Sequence, residues 1–136
     1  MVNIDIVYEG ELHCSLKHVP SGAVIATDAP KDNHGKGEAF SPTDMVAGAL
    51  GACMLTIMGI VAKRHELNLE GTKVQVTKEM VTEPARRIGK LTVTFQIPAG
   101  VPASKREVLE RAALTCPVHK SLHPDIEIPV SFNYAD

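Results

Sequence analysis

The stretch SPTDMVAGALGACMLTIMGIVAKRH, residues 41–65, decides the fold, and it begins with a strong helix signal. Ser41 suits the N-cap, Pro42 suits the first helical position, and Asp44 stands where the acid of a capping box belongs. Residues 45–62 then follow without a single charged side chain. The pattern predicts one long helix that begins at this cap and ends near residue 65.

The uncharged run is 18 residues long, which is the threshold length for a transmembrane helix. Three of these residues are glycine and four are alanine, so the run is only weakly apolar. A helix that is apolar on every side is also typical of a protein core. The neighbouring segments read as half-buried strands that need a surface to pack on, so we expect a buried central helix and no membrane. The small residues also permit close approach by a second copy of the helix.

Alternation of apolar and polar residues predicts strands on both sides of this helix. Before it they lie in NIDIVYEG (3–10), ELHCSLKH (11–18) and AVIAT (23–27), and after it in KVQVTKEMV (73–81), KLTVTFQI (90–97) and DIEIPVSFNY (125–134). In the fifth of these segments the inward residues are Leu91, Val93, Phe95 and Ile97. Pro129 restricts the last strand to a sheet edge. The turn-rich residues 28–40 predict a long loop, and such loops are often functional.

Two shorter helices are predicted before the last strand. VPASKREVLERAAL (101–114) has Ser104 and Glu107 at capping-box spacing. In TCPVHKSL (115–122), either Thr115 or Cys116 can cap a helix that has Pro117 at its first position. Strands and helices are segregated along the chain, which predicts an α+β fold in one domain over residues 1–136.

The composition excludes several classes of function. The net charge is −2, the 14 basic residues are scattered and there are only five aromatic residues, so no nucleic-acid surface is expected. No glycine-rich phosphate loop follows a strand, and we expect no cofactor. The chain has three cysteines, too few for a secreted disulfide framework, and its first residues lack a signal-peptide pattern. A reducing cytoplasm is therefore the expected compartment.

Each cysteine has a structural and a functional interpretation. Cys14 lies on the apolar face of a predicted strand, which favours a packed core residue. Cys53 lies in mid-helix among apolar residues, where it is inert unless a cation approaches from elsewhere. Cys116 begins a helix, and the helix dipole together with Lys120 favours a reactive thiolate there. The alternative for Cys116, a metal site shared with His119 and His123, has no obvious fourth ligand, so no metal is expected.

Two of these segments together resemble a known family. SPTDMVAGALGACMLTIM (41–58) is similar to the central helix of the OsmC/Ohr family, the osmotically inducible and organic-hydroperoxide-resistance proteins, and CPVHKSL (116–122) is similar to its second-cysteine motif. The element order also fits, so the resemblance covers nearly the whole chain. It implies the OsmC-like fold, with antiparallel sheets wrapped around the long apolar helix in an intertwined homodimer.

The resemblance also implies a function, that of a thiol-dependent peroxidase in oxidative-stress defence. Cys53 would attack the O–O bond of an organic hydroperoxide and become a sulfenic acid. Cys116 would then close a Cys53–Cys116 disulfide, which an external dithiol would reduce. The apolar surroundings of Cys53 would accept the alkyl part of such a substrate.

The sequence departs from the family pattern at two positions. Peroxidase members carry an arginine before the central helix, but the first arginine here is Arg64. The loop offers Lys31, His34 and Lys36 as replacements, of which we favour Lys36, although lysine lacks the bidentate geometry of arginine.

The second departure concerns a glutamate that members place ten residues before the first cysteine. Thr43 stands there in this chain, next to Asp44, which either replaces the glutamate or only caps the helix. These departures keep a second hypothesis open. It is a non-peroxidatic OsmC-like protein that binds a small apolar ligand or senses oxidants through the same thiols.

Overall fold

The computed structural model describes residues 1–136 and has the segregated α+β order that the sequence predicts. The strands are β1 (Ile4–Gly10), β2 (His13–His18), β3 (Val24–Asp28), β4 (Lys73–Val81), β5 (Arg87–Ile97) and β6 (Val130–Tyr134). The helices are α1 (Pro42–Arg64), α2 (Ala103–Leu114) and α3 (Pro117–Ser121), and a 3-10 turn covers Lys31–Asn33. The chain forms two compact units, Met1–Val46 and Ala47–Asp136.

The first unit contains a three-stranded antiparallel sheet in the order β1-β2-β3. Gly10 pairs with His13, so Glu11 and Leu12 form a two-residue turn between β1 and β2. Both turn residues have a positive φ, 52° and 62°, which gives a twist that suits a tight hairpin. Many apolar side chains of this sheet are exposed, namely Ile4, Ile6, Val7, Tyr8, Val24 and Ile25.

The second unit contains the main core, built on the mixed sheet β4-β5-β6. β5 runs antiparallel to β4 and parallel to β6. The inward positions predicted for β5 are confirmed, since Leu91, Val93, Phe95 and Ile97 are all buried. β6 begins directly after Pro129 and lies at the sheet edge, as the proline predicts.

Helix α1 buries one face and exposes the other. Its buried residues recur every three or four positions, and they are Ala47, Leu50, Gly51, Met54, Met58 and Ala62. A Cβ atom on Gly51 would lie 3.0 Å from Val76 Cγ2, so the glycine allows close approach to β4. The opposite face is exposed and includes Gly48, Ala52, Thr56, Gly59 and Ile60. Burial on every side is therefore not achieved within one chain.

The start of α1 has the reciprocal capping box that the sequence predicts. The Asp44 N–H donates to Ser41 Oγ at 3.0 Å, and the Ser41 N–H donates to Asp44 Oδ2 at 2.9 Å. By length and composition alone α1 could also cross a membrane, a test that core helices of soluble proteins pass as well. Helix α2 differs from its prediction, because it begins at Ala103 after Pro102 and has no side-chain cap at Ser104.

Replacing the cap serine should weaken the fold, because Ser41 is buried and its hydroxyl satisfies a helix N–H. We expect Ser41→Ala to lower the free energy of unfolding by about 1 kcal/mol, measured by circular dichroism in denaturant. Ser104→Ala is the matched control, because that exposed serine caps nothing, and its effect should stay within about 0.5 kcal/mol. Equal losses in the two variants would contradict the capping role.

Candidate functional site

The structure brings together two of the site residues predicted from the sequence, Cys53 and Cys116. Cys53 lies midway along α1 and is half-buried, whereas Cys116 lies between α2 and α3 and is fully buried. Their side chains are close enough to hydrogen-bond to each other, and both are free thiols. Residues 63 positions apart in the sequence therefore form one dithiol pair in the second unit.

The junction of α2 and α3 fixes the position of the Cys116 sulfur. The Cys116 N–H donates to the Ala113 carbonyl at 3.3 Å, which closes the end of α2. Pro117 then starts α3, and Cys116 is its N-cap in an extended conformation. The His119 N–H donates to Cys116 Sγ at 3.3 Å. Of the two candidate caps for this helix, Cys116 rather than Thr115 takes the role.

The environment of Cys116 favours the neutral thiol. Burial is the largest effect and raises the pKa of the Cys116 thiol, and the neighbouring Cys53 thiol raises this pKa further. The backbone N–H groups of His119 and Val118 lower it, but they do not offset burial. The prediction that the helix start makes Cys116 a reactive thiolate is therefore wrong, because loss of solvent outweighs the helix terminus.

Lys36 lies in the first unit and is held in an ion pair. Its Nζ donates to Glu11 Oε2 at 2.9 Å, and both side chains are exposed. The hydrogen bond with Glu11 is the main reason that the pKa of Lys36 is raised. The Asp28 N–H donates to the Phe40 carbonyl at 3.0 Å, so the two ends of the loop that carries Lys36 are joined.

Asp44 also lies in the first unit, and its carboxylate completes the capping box with Ser41. The neighbouring Thr43 Oγ1 lies 3.2 Å from Ser41 Oγ. Capping is thus a defined role for Asp44, and a further catalytic role stays a prediction. Cys14, in the central strand β2, is half-buried and belongs to the first unit, apart from the unit that holds the dithiol pair.

Sequence reasoning missed a histidine–carboxylate pair in the first unit. His13 and Asp28 are register partners on β2 and β3, and His13 Nδ1 lies 2.5 Å from Asp28 Oδ1. The hydrogen bond with Asp28 raises the pKa of His13, against the effect of burial. They line a hollow of about 400 Å³ whose other lining residues are Glu9, Gly10, Glu11, Lys36 and Glu38. Only the strand register could have revealed the pair.

No three His, Cys, Asp or Glu side chains of the chain come together in an arrangement that could hold a metal ion. His119 takes part in the dithiol site through its backbone N–H rather than as a ligand.

Comparison with known proteins points to one family. The model of the OsmC-like protein family matches residues 35–131. A Psychrobacter arcticus 273-4 protein, provisionally described as an osmotic stress induced and detoxification response protein, is 43% identical with a TM-score of 0.92; the match covers 98% of this chain and 96% of that one. No curated protein matches.

More distant solved structures share the fold. An organic hydroperoxide resistance protein OsmC from Legionella pneumophila is 16% identical with a TM-score of 0.77, covering 98% of this chain and 96% of that one. An organic hydroperoxide resistance protein from Elizabethkingia anophelis is also 16% identical with a TM-score of 0.77, covering 99% and 96%. These matches confirm the predicted OsmC-like α+β fold of the single chain, in which one sheet is mixed rather than antiparallel. Because the family model spans most of the sequence, this chain belongs to the OsmC-like family.

Proposed function

We propose that this protein is a thiol-dependent peroxidase that reduces organic hydroperoxides in oxidative-stress defence, in a reducing cytoplasm. The observation that carries the proposal is the contact between the half-buried Cys53 thiol and the buried Cys116 thiol. Membership of the OsmC-like family supports a role in oxidative stress. Structures of the same fold described as organic hydroperoxide resistance proteins support the choice of substrate.

The first step of the proposed cycle belongs to Cys53. Its thiolate attacks the hydroperoxide, the O–O bond breaks, and a sulfenic acid forms on Cys53 Sγ. The leaving alkoxide takes up a proton and departs as the alcohol. Cys116 does not compete in this step, because its thiol is buried and neutral.

The second step uses Cys116. Its sulfur attacks the Cys53 sulfenic sulfur, a disulfide forms, and the hydroxyl group and the thiol proton leave together as water. An external dithiol then reduces the disulfide and is itself oxidised to a disulfide. Both sulfurs lie on elements of the second unit, and their contact in the reduced state supports disulfide closure.

We further propose that Lys36 supplies the positive charge that peroxidase relatives take from arginine, and that Asp44 replaces the glutamate of those relatives. Lys36 is charged at neutral pH, and Glu11 already orients its ammonium group. A point charge favours a thiolate without the bidentate geometry of a guanidinium. Asp44 contributes chiefly by fixing the first turn of α1.

A homodimer is proposed as the working form. The first unit leaves several large apolar side chains of its sheet exposed, including Ile6, Val7 and Tyr8. The exposed face of α1 is apolar and rich in small residues, among them Gly48 and Gly59. Isolated soluble proteins rarely leave such extended apolar surface open, and a second copy of the chain is the simplest cover.

Two observations favour the alternative function, an OsmC-like protein that binds an apolar ligand or senses oxidants. No arginine precedes Arg64, and Lys36 is engaged by Glu11. If the alternative function is the right one, Cys53 and Cys116 would react slowly with hydroperoxides and without catalytic turnover.

The peroxidase proposal predicts rapid, stoichiometric loss of two thiols when the reduced protein meets cumene hydroperoxide. Intact-mass measurement should show the loss of two hydrogens, about 2 Da, as the disulfide forms. Cys53→Ser should lower turnover by about a hundredfold or more, because the nucleophile is gone. Cys116→Ser should stop at a sulfenic acid that dimedone traps.

Cys14→Ser is the matched control and should leave turnover intact, because Cys14 lies in the other unit. Failure of Cys53 to react within minutes at micromolar hydroperoxide would rule out the peroxidase. Equal loss in the Cys53 and Cys14 variants would show that the roles are assigned to the wrong residues.

The role of Lys36 predicts a charge effect on the first step. Lys36→Met should slow oxidation of Cys53 about tenfold in stopped-flow measurements, which corresponds to about 1.4 kcal/mol of lost thiolate stabilisation. Lys36→Arg should retain the rate. Lys31→Met, in the same loop, is the control and should behave like the native protein. An unchanged rate for Lys36→Met would limit this lysine to its ion pair with Glu11.

The dimer predicts a mass twice that of the 14.6 kDa chain in sedimentation equilibrium. Ile6→Asp should shift the protein towards the monomer, because a charge would replace an apolar side chain of the exposed sheet. Val108→Asp, an equally drastic change on α2, should leave the mass unchanged. A monomer for the native sequence would exclude the proposed assembly.

A further inference from the structure

We infer that the reductant opens the Cys53–Cys116 disulfide by attacking the sulfur of Cys53, so that the mixed disulfide forms on Cys53 and Cys116 is released. This inference rests on the proposed function, because it assumes that the disulfide is part of the catalytic cycle. In thiol–disulfide exchange the sulfur that is attacked depends on access and on the stability of the thiolate that leaves. Both factors can be judged at the junction of α1, α2 and α3.

Access excludes attack on Cys116. Its relative exposure is 0% in the single chain, between the end of α2 and the start of α3. A second copy of the chain could only cover it further, so dimer formation does not open a path to this sulfur. An attacking thiolate must come within bonding distance of the sulfur, and Cys116 offers it no approach from solvent.

Access to Cys53 is different. The residue is only half-buried. A hydroperoxide must reach Cys53 Sγ in the first step of the cycle, so a path for a slender molecule to this atom is already required. The same path admits the thiol arm of a reductant. One opening therefore serves both the oxidant and the reductant, and they reach the same sulfur in turn.

Access decides which sulfur is attacked, and the surroundings of the other sulfur, Cys116, assist its departure through two backbone N–H groups. When the S–S bond breaks, negative charge develops on the sulfur that leaves. At Cys116 the His119 N–H donates to Sγ at 3.3 Å, and the Val118 N–H also favours the charged form. At Cys53, midway along α1, neither helix end is near. These two N–H groups favour the charge on the departing Cys116 sulfur, whereas burial, the larger effect, raises its pKa and favours uptake of a proton as the bond breaks.

The exchange balances as two successive displacements. A reductant thiolate forms a bond to Cys53 Sγ, the bond between Cys53 Sγ and Cys116 Sγ breaks, and the electron pair passes to Cys116 Sγ, which is protonated. The second thiolate of the reductant attacks the reductant's own sulfur and releases Cys53 as a thiolate. The dithiol is oxidised by two electrons and the protein disulfide is reduced by two. Helix α3 need not open at any step.

The test maps the mixed disulfide in a Cys14→Ser background, so that only the two site cysteines can react. The disulfide is formed with diamide and exposed briefly to 2-mercaptoethanol, and the exchange reaction is then quenched with acid. The freed thiol is alkylated. Peptide mass spectrometry then identifies the cysteine that carries the mercaptoethanol and the cysteine that carries the alkyl group. We expect the mercaptoethanol adduct on Cys53 and the alkyl group on Cys116, in at least roughly tenfold excess over the reverse pattern. In guanidinium chloride, where burial is lost, the two patterns should become similar.

Four outcomes would overturn the inference. The adduct could lie mainly on Cys116, or the two sulfurs of the folded protein could be labelled equally. The folded disulfide could resist mercaptoethanol while the unfolded disulfide reacts, or diamide could fail to form the disulfide. Diamide oxidises thiols without any hydroperoxide. The mapping therefore succeeds or fails independently of turnover with cumene hydroperoxide, and failure of the peroxidase function can be told apart from failure of this inference.

Discussion

The close approach of α1 to β4 is the constraint on which the rest of the second unit depends. The missing side chain of Gly51 brings the helix to within van der Waals contact of Val76, and the buried stripe from Ala47 to Ala62 follows from that approach. Cys53 is two residues beyond Gly51 on the same helix. A larger residue at position 51 would meet Val76, and the helix could not approach β4 as closely.

Unequal burial distinguishes the two cysteines of the site, although their side chains are chemically identical. Cys116 is fully buried and its raised pKa favours the neutral thiol, whereas Cys53 is partly exposed to solvent. In the proposed cycle the buried neutral thiol reacts second, as a nucleophile on the oxidised sulfur of its partner. The His119 N–H donates to its sulfur in the reduced protein. The order of events in the proposed cycle thus follows from unequal solvent access rather than from different residues.

Local sequence signals predicted those features that depend on local structure. Ser41, Pro42 and Asp44 predicted the start of α1, and alternation predicted the inward residues of β5. Burial of individual groups could not be predicted in this way, because it depends on contacts between distant elements. For this reason the sequence predicted a lowered pKa for Cys116, whereas burial raises it. The pairing of His13 with Asp28 was missed because it depends on the register of two strands, which no short motif specifies.

The apolar surroundings of Cys53 have two opposed effects, and the proposed role of Lys36 answers the conflict between them. An apolar site favours the alkyl group of an organic hydroperoxide but disfavours the thiolate that attacks it. The proposed mechanism therefore assigns a positive charge, that of Lys36, to offset this cost. The loop that ends at the α1 cap carries Lys36, and its ends are joined through the Asp28 N–H and the Phe40 carbonyl. A loop closed in this way can hold a lysine in a defined place, as the ion pair with Glu11 does already. If lysine fills the role of the arginine, the weaker geometry of a point charge should give a slower enzyme rather than a different one.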